Sequence, residues 1–576
     1  MRFVALVFVL SCATLPARTA HAQTAPAPGA CQLGTASALL DIGDVTARVF
    51  NTGSLFYGNG FQAAYEVPRG KTPIFAAGLW VAGVVGGEVR ASGGTYGTPG
   101  ADFTLWPGPL GPDARPVNPT DCSAFDRIYT VSRLDIARYY QTGTATADLR
   151  DWPFALGAMV LDGDGDPSNY DLAGGDQPAI RGDQTAWSLT NDVGNVHAQL
   201  RTPPLGIEVR TEASAFGLGR LSETTVYRYT FTNRTAATID SVYAGMFVDA
   251  DLGDASDDYI GADSLRSMAY TYNADNLDGT GTGGTYGATP PAIGVQILDG
   301  PVGLPNGRDD DGDGATDEPG ERLRATAAPR DGGTARRRHR ATAAPLICKN
   351  PTVCDEPASG REMLRKLMGL LNDGSPVRAY SDGVQETRGA VTRYAYSGDP
   401  VTRTGWTELT PGGPSNAPSD RRMMVATGPF RLAPGQSETV TFAIPYGRGT
   451  SNLNSVTELR RTATAVSSAL AAGYFEPQRT GEIAPQPVDQ AVRLGGPSPN
   501  PFTGRAVVRY AMPAGTRLRA TLLDVLGREI AVLADGPTLA AEGEIAVDGA
   551  GLAPGVYRVR VVVPGAERFV TLVHTR

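Results

Sequence analysis

The sequence predicts a mainly β fold of antiparallel β-sandwich modules, with two short helices and a separate small sandwich at the C-terminus. Gly (71) and Pro (43) make up about one in five of the 576 residues, and both interrupt helices. Runs such as 207–211 and 227–231 alternate apolar and polar residues with a period of two, which is typical of half-buried strands. The length exceeds that of a single domain, which supports several modules.

The N-terminus has the pattern of an export signal. Arg2 precedes the apolar run 3–10, and Ala20-His21-Ala22 offers a small-x-small cleavage site. A lipidated Cys12 is the alternative, but the residues before it fit that signal poorly. No later stretch is long and apolar enough to span a bilayer, so we predict no transmembrane segment.

The body is predicted to consist largely of strands. Residues 207–211 and 227–231 alternate, whereas 242–248 are apolar throughout and indicate a more fully buried strand. The three runs follow one another at the spacing of consecutive hairpins. Residues 428–443 predict a further hairpin, which turns at Pro434 and the glycine after it.

Two helices are predicted from capping-box patterns. Ser359 and Glu362 precede one apolar stripe of helical period, and Ser455 and Glu458 precede another. Gly473 is placed to end the second helix. Both stripes are most simply packing faces on a sheet.

One insertion and one linker divide the chain. The hexapeptide Arg-Ala-Thr-Ala-Ala-Pro occurs at 324–329 and 340–345, with a basic run between, and such a segment has too few large apolar residues to form a core. We therefore predict 1–22 as a signal peptide, 23–318 as a mainly β body with Asp-rich loops, 319–358 as a disordered Arg-rich insertion, 359–475 as the continuation of the body with two helices and a hairpin, 476–493 as a linker and 494–576 as the C-terminal module.

The charge excludes several classes of partner. The formal net charge is −9, so the chain has no general attraction to nucleic acid or to an anionic membrane. Only four His are present, which leaves little room for His-based catalysis. An acidic chain is suited to binding cations.

Four Cys follow the signal peptide, namely Cys31, Cys122, Cys348 and Cys354. An even number in an exported protein predicts two disulfides, for which three pairings exist. The short loop between Cys348 and Cys354 favours that pair, and buried or free thiols are the alternative.

Alternating acids indicate calcium sites. The strongest pattern places oxygen ligands at alternate positions around a glycine turn and consists of Asp309, Asp311, Asp313, Asp317 and Glu318. This pattern resembles the Asp-rich loops of thrombospondin type 3 and dockerin repeats, although Gly320 stands where an EF-hand has Glu. A weaker pattern, with Pro167 where the turn wants glycine, consists of Asp162, Asp164 and Asp166.

A third acidic group follows the run 242–248. Asp249, Asp251, Asp254, Asp257 and Asp258 form either another ion site or a soluble loop, and we favour the loop. The motifs of phosphate loops, zinc proteases and serine hydrolases are missing or incomplete, including at Lys71, where the leading glycine of a phosphate loop is absent.

The C-terminal module carries three separated motifs: Pro499-Asn500-Pro501-Phe502, the run 523–529 and the run 552–557. Their order and spacing resemble the type A C-terminal sorting domain of the type IX secretion system, except that Ser-Pro replaces the usual Tyr-Pro before Asn500. The residues that carry this resemblance are Pro499, Asn500, Pro501, Phe502, Asp524, Gly527, Gly555 and Tyr557. The resemblance implies an Ig-like seven-stranded sandwich that acts as an address and not as an enzyme.

The same resemblance implies a route and a set of partners. It implies passage through the periplasm to the outer-membrane surface or the medium, with the type IX machinery as a partner and cell-surface polysaccharide or lipopolysaccharide as the candidate attachment. The body resembles uncharacterised cargo of that system at the runs 51–53, 66–68, 78–80, 182–192 and 249–254.

No catalytic activity follows from that resemblance. The sequence favours a non-enzymatic structural or binding role with calcium-stabilised loops. The alternative is a secreted glycan-active hydrolase, which needs only an Asp/Glu pair.

Overall fold

The computed structural model describes residues 27–58, 64–96, 104–217, 219–302, 322–324, 341, 343–344, 354–379, 389–409, 416–480, 493–512, 517–524, 528–537, 542–563 and 566–575. The fold is mainly β, as predicted, and among the described residues its strands pair antiparallel in two large and three two-stranded sheets of the body and in two small sheets of the C-terminal module.

The body contains, in chain order, β1 (Ser37–Leu40), β2 (Thr46–Phe50), β3 (Ser54–Leu55), β4 (Tyr65–Glu66), β5 (Ala76–Val85), β6 (Glu88–Gly93), β7 (Trp106–Pro107), β8 (Tyr129–Ser132), α1 (Arg133–Thr142), α2 (Ala147–Arg150), β9 (Val160–Leu161), β10 (Gln177–Pro178), β11 (Gln184–Asn191), β12 (Ile207–Ala215), β13 (Thr225–Asn233), β14 (Ile239–Asp249), β15 (Asp258–Asp263), β16 (Met268–Asn273), β17 (Leu277–Asp278), β18 (Gly287–Ala288), β19 (Ala292–Val302), β20 (Arg322–Arg324), α3 (Gly360–Leu367), β21 (Val377–Arg378), β22 (Val391–Thr392), β23 (Arg422–Leu432), β24 (Ser437–Ile444), β25 (Tyr446–Gly447) and α4 (Asn452–Ala471). The C-terminal module contains β26 (Arg493–Leu494), β27 (Arg505–Ala511), β28 (Arg517–Leu523), β29 (Glu529–Pro537), β30 (Glu542–Asp548), β31 (Gly555–Val563) and β32 (Ala566–His574).

Two sheets face each other in the body. Sheet 1 has the order β1-β2-β3-β5-β14-β23, with β4 and β6 paired at its sides. Sheet 2 has the order β15-β16-β19-β24-β13-β12-β11-β7, with β8, β20 and β25 paired off this path. One hydrophobic core joins the inner faces of both sheets and includes Leu79, Met246 and Val425 of sheet 1 with Tyr229 and Phe442 of sheet 2.

Helices cover the outer faces of the two sheets. Met363 and Leu367 of α3 pack on Trp80 and Phe247 of sheet 1. The opposite face of sheet 2 packs against α4, whose Leu459 lies in one cluster with residues of β16. Because β14 is covered on both faces, residues 242–248 are all buried, as the unbroken apolar run predicts.

The strands β13 and β14 do not form the predicted hairpin, and neither do β23 and β24. In each pair the two strands belong to different sheets, so both turns cross the sandwich. The runs themselves are strands, and β12 and β13 pair as neighbours from Ile207↔Asn233 to Ala215↔Thr225. The prediction failed because alternation reports which side of a strand is buried and not which strand lies beside it.

Asn233 ties the two crossing turns together. This side chain is fully buried, and its Nδ2 donates to Ala237 O at 2.7 Å and to Leu432 O at 2.9 Å. Its Oδ1 accepts from Thr235 N at 2.9 Å, and its own backbone pairs with Gln436 O and Gly435 N. One amide therefore satisfies backbone groups of both turns.

Of the two N-caps predicted from the sequence, one is confirmed and one is wrong. Ser359 caps α3, where its Oγ accepts from Glu362 N at 3.3 Å, as predicted. The cap predicted at Ser455 is wrong, because α4 begins one turn earlier and is capped by Ser451. Ser455 lies inside the helix, and its hydroxyl donates to Pro290 O at 2.7 Å.

Sequence reasoning missed two helices of the body, α1 and α2. The first has a full capping box, in which Asp135 N donates to Ser132 Oγ and Ser132 N donates to Asp135 Oδ2. The signal was present as Ser-x-x-Asp, with Asp in place of the usual Glu or Gln.

Single residues of the predicted insertion and linker contact the body. Ala341, Ala343 and Ala344 are buried, and Ala343 bridges to Ala426 of β23. Within the predicted linker, Thr480 exchanges two hydrogen bonds with Gln177.

In its described residues the C-terminal module is a two-sheet sandwich of seven strands with its own core. Its sheets have the orders β26-β27-β30 and β29-β28-β31-β32. Val508, Leu522, Val559 and Leu572 lie in one buried cluster, whose described members all belong to this module. Within the described part of the chain, no helix is long and apolar enough to cross a membrane.

We predict that Asn233→Ala lowers the free energy of unfolding by about 3–5 kcal/mol, since it removes the buried donor to Ala237 O and Leu432 O and the acceptor of Thr235 N. Asn195→Ala is the control, because Asn195 is only half-buried and donates to the single carbonyl of Cys31. That variant should lose about 1 kcal/mol. Urea denaturation of both variants measures the difference, and equal losses would contradict the assigned role of Asn233.

We also predict a pH dependence from Lys366. This residue of α3 is fully buried, its Nζ donates to Cys354 O at 2.8 Å, and burial lowers its pKa to about 7, against the pull of Asp355, Glu362 and Asp373. Above that pH the unfolded chain binds the proton more tightly than the folded chain. This group therefore adds stability as pH rises from about 7 towards 10, by up to about 1.4 kcal/mol per pH unit.

Lys366→Met should lose this slope, and so should Lys366→Arg, which stays charged over the whole range. Denaturant unfolding at several pH values between about 7 and 10, the window set by the two pKa values of the lysine, measures it. Parallel stability curves for the wild-type protein and both variants would refute the prediction.

Candidate metal-binding sites

The first site is the loop between β9 and β10. Asp162 and Asp164 are exposed, Asp176 is buried, and one carboxylate oxygen of each lies within 4.8 Å of the others. All three ligands are hard oxygens, which suit a cation such as Ca²⁺ or Mg²⁺. The cluster can therefore hold a metal ion.

Backbone hydrogen bonds shape this loop. Asp162 Oδ1 accepts from Gly165 N at 2.7 Å, and Gly165 has a φ of 88°, which favours glycine. Asp176 Oδ1 accepts from Gly163 N at 2.8 Å, and its Oδ2 accepts from Asp171 N at 2.7 Å. Asp176 thus links both ends of the loop, and glycine at 165 supplies the turn that Pro167 cannot.

The three-oxygen cluster differs from the sequence pattern at one residue. Asp166 lies outside the cluster, and its Oδ1 accepts instead from Ser168 N and Oγ at 3.0 and 2.6 Å. The third oxygen of the cluster belongs to Asp176, further along the chain. Alternation alone could not identify it, because Asp176 reaches the loop through the pairing of β9 with β10.

Arg479 holds the backbone of the same loop. Its guanidinium donates to Leu161 O at 3.1 Å, to Asp162 O at 2.9 Å and to Gly175 O at 2.6 Å. The chain segment that leads out of the body is therefore attached beside the acidic cluster.

The strongest sequence pattern lies outside the described residues. The residues of this pattern are Asp309, Asp311, Asp313, Asp317 and Glu318.

The described cysteines of the body form disulfides. Cys31 and Cys122 form one with a Cα–Cα distance of 5.2 Å, and Cys354 is also disulfide-bonded, whereas Cys348 lies outside the described residues.

A second acidic cluster lies at the end of β14. Asp249, Asp251 and Asp420 each place one carboxylate oxygen within 4.8 Å of the others. Arg422 stands opposite Asp249 in the pairing of β23 with β14, and its guanidinium lies 3.4 Å from Asp249, 3.0 Å from Asp420 and 3.0 Å from Glu356. The Tyr96 hydroxyl donates to Glu356 Oε1 at 2.6 Å and accepts from Arg422 Nε at 2.9 Å.

Burial and crowding weaken the acids of this region. Burial raises the pKa of Asp249 to about 7. The positive charge of Arg422 lowers this pKa, whereas the negative charges of Asp251 and Asp420 raise it further. The pKa of Asp257 is raised to about 6, first by burial and then by neighbours that include Asp278. Burial also holds the pKa of Asp258 well above its usual range. Sequence reasoning favoured a soluble loop here, whereas the structure buries Asp249 and Asp258.

The residues of the sorting motifs build the C-terminal module itself. Asn500 Oδ1 accepts from Val573 N at 2.7 Å, and Phe502 is buried with its ring 4.9 Å from that of His574. The Tyr557 hydroxyl donates to Ala553 O at 2.7 Å, and Asp524 accepts from Arg528 N and Nε at 2.9 and 2.6 Å.

The remaining motif residues of this module lie at its surface or at a strand end. Pro499 and Pro501 are exposed and flank Asn500, Gly555 begins β31, and Gly527 lies outside the described residues. The motif side chains that make contacts therefore stabilise the fold.

The body motifs are structural as well. Asp192 is buried and its carboxylate accepts from the N–H groups of Leu205, Gly206 and Ile207. Lys71, which an incomplete phosphate-loop pattern singles out, donates to the carbonyls of Gly281, Gly283 and Thr285. Its ammonium is bound by the glycine-rich loop.

No protein-family model and no curated protein matches this chain. Among solved structures, a polysaccharide lyase is similar at 10% identity and a TM-score of 0.18, over 64% of this chain and 34% of the lyase. The chain thus spans about a third of that protein's length, and a likeness this weak carries no argument about function.

We predict that Asp164→Asn reduces the rise in melting temperature produced by millimolar calcium, whereas Asp166→Asn leaves it unchanged. An ion bound only by the folded state adds about 2.7 kcal/mol of stability at a hundredfold excess over Kd. Thermal melts in calcium and in chelator measure the rise. Equal effects of the two substitutions would show that the structure assigns the wrong third ligand.

Proposed function

We propose that this protein is exported through the type IX secretion system and acts at the cell surface or in the medium as a structural or binding protein with calcium-stabilised loops. The C-terminal module is the address, and the body is the cargo. Export through the periplasm is consistent with the Cys31–Cys122 disulfide of the body and with the disulfide-bonded Cys354.

The observation that carries the proposal is the separateness of the C-terminal module. Among the described residues, its buried cluster contains none from the body, and its sorting-motif residues Asn500, Phe502 and Tyr557 hold the module's own strands. Because the motif residues stabilise the module itself, the secretion machinery can recognise the module whatever cargo precedes it. The Asp162 cluster supports the calcium part of the proposal.

A glycan-active hydrolase with an Asp/Glu pair is the second candidate. The observation that favours it is the pair Asp249 and Glu356, which both contact Arg422, and the pKa of Asp249 near 7 suits a general acid. This candidate requires that the purified protein releases reducing ends from a polysaccharide.

Deletion of residues 494–576 should leave the protein in the periplasm of a host that carries the secretion system. The body keeps its own core, so the retained protein should still be folded and protease-resistant. Fractionation followed by immunoblotting measures the location. Normal appearance of the truncated protein at the surface or in the medium would refute the proposal.

A reporter fused to residues 487–576 is the matching gain-of-function control. It should reach the surface in the same host, and it should stay in the periplasm in a host without the secretion system. Together the truncated protein and the fusion separate loss of an address from misfolding of the cargo.

A further inference from the structure

A cavity of about 330 Å³ lies between α4 and the turn that joins β15 to β16. Its described lining consists of Arg266 from the turn and of Thr457, Arg460, Arg461 and Thr464 from α4. The helix residues follow one another at the spacing of neighbours on one helical face. The cavity is therefore lined by guanidinium and hydroxyl groups.

Two acids hold the guanidinium groups in place. Arg266 Nη1 donates to Asp263 Oδ2 at 2.8 Å, and Arg460 Nε lies 3.4 Å from the same oxygen. Arg460 Nη1 also donates to Asp399 Oδ1 at 2.8 Å. Asp263 is buried, and neither acid belongs to the described lining of the cavity. The ion pairs thus fix two guanidinium groups close together, whereas the acids lie outside the lining.

A hydroxyl and a side-chain amide fix the distance between the turn and the helix. Thr464 Oγ1 accepts from Arg266 Nε at 3.3 Å and donates to Arg460 O at 2.8 Å. Gln296 of β19 donates from its Nε2 to Arg266 O at 3.0 Å, and from the same atom to Ser467 Oγ of α4 at 3.0 Å. The cavity is therefore preorganised on both sides.

Several donors of the lining are left over. Within the described part of the chain, Nη2 of Arg266 and Nη2 of Arg460 make no hydrogen bond, and neither does the Thr457 hydroxyl. Arg461 donates from Nη1 alone, to Glu458 Oε1. A ligand that fills the cavity meets N–H donors from three guanidinium groups and has to supply the acceptors.

We propose that this cavity binds a small polar molecule that carries an oxyanion, either a carboxylate or a phosphate group. The neighbouring acids offset much of the positive charge, so the selectivity comes from the placement of donors in the lining and not from net charge. Guanidinium groups bind both kinds of oxyanion through parallel N–H donors.

The size and the lining define the rest of the ligand. A cavity of about 330 Å³ exceeds the volume of a carboxylate or phosphate group and lies in the range of small-molecule sites, roughly 300–1,000 Å³. Its described lining contains only arginine and threonine, which suit a hydroxylated body such as that of a sugar acid or a sugar phosphate. This inference rests neither on export nor on a metal ion.

The test is calorimetric titration of the full-length protein at low ionic strength with glucuronate, glucose 6-phosphate and glucose. Glucuronate or glucose 6-phosphate should bind, and the one that binds more tightly identifies the oxyanion. Glucose should bind at least about tenfold more weakly, because it lacks the charged acceptor. No binding of either anion, or equal binding of glucose, would overturn the proposal.

Two variants locate the ligand in the cavity. Arg461→Gln should weaken binding of the anion at least about tenfold, since hydrogen bonds to charged groups contribute about 1.5–3 kcal/mol. Thr457→Val keeps the shape of the side chain and removes a hydroxyl that has no hydrogen bond in the described part of the chain, so it should weaken binding about threefold. Unchanged affinity in both variants would place the ligand elsewhere and refute the site.

Arg220→Gln is the matched control. Arg220 Nη2 lies 3.1 Å from Glu458 Oε2, so Arg220 shares this acid with Arg461, but it lies outside the described lining. Both substitutions remove one exposed positive charge from the same acid. Arg220→Gln should change the affinity by less than about twofold, because exposed charges are screened by solvent. Equal losses in Arg220→Gln and Arg461→Gln would show a general electrostatic attraction and overturn the site, and melting curves verify that each variant folds.

Discussion

The body depends on the two turns that carry the chain from one sheet to the other. Each turn leaves backbone groups inside the sandwich, where water cannot reach them. Asn233 binds groups of both turns with one buried amide, so the position of β14 is coupled to that of β23. Since β14 and β23 are neighbours in sheet 1, the same amide indirectly sets the place of Asp249 and of the segment that bears Asp420.

The electrostatics of the body follow from this arrangement. Strand ends that converge at one edge bring their acids together, and burial then removes the water that would otherwise separate the charges. The chain compensates part of this charge with its own cations, as Arg422 does beside Asp249. Lys71 plays a comparable part among the carbonyls of the glycine-rich loop, where three oxygens surround one ammonium.

The C-terminal module illustrates how a recognisable motif can be structural. Asn500 and Phe502 attach the first segment of the module to β32, and Tyr557 closes the start of β31 onto Ala553. Asp524 binds both the N–H and the guanidinium of Arg528 across a turn. Each of these residues satisfies a backbone group or fills a gap at the edge of a small sandwich, where little other core is present to hold the strands.

The sequence by itself determined the fold class, because the period of two and the abundance of turn residues are local properties of the chain. It also located α3 through Ser359 and the buried strand at 242–248 through its unbroken apolar run. Only the tertiary structure decided that β13 and β14 lie in different sheets, and that Asp176 and Asp420 complete the two acidic clusters. Local patterns record which side of a strand is buried, whereas the partners of a strand or a carboxylate come from distant segments that meet only when the chain folds.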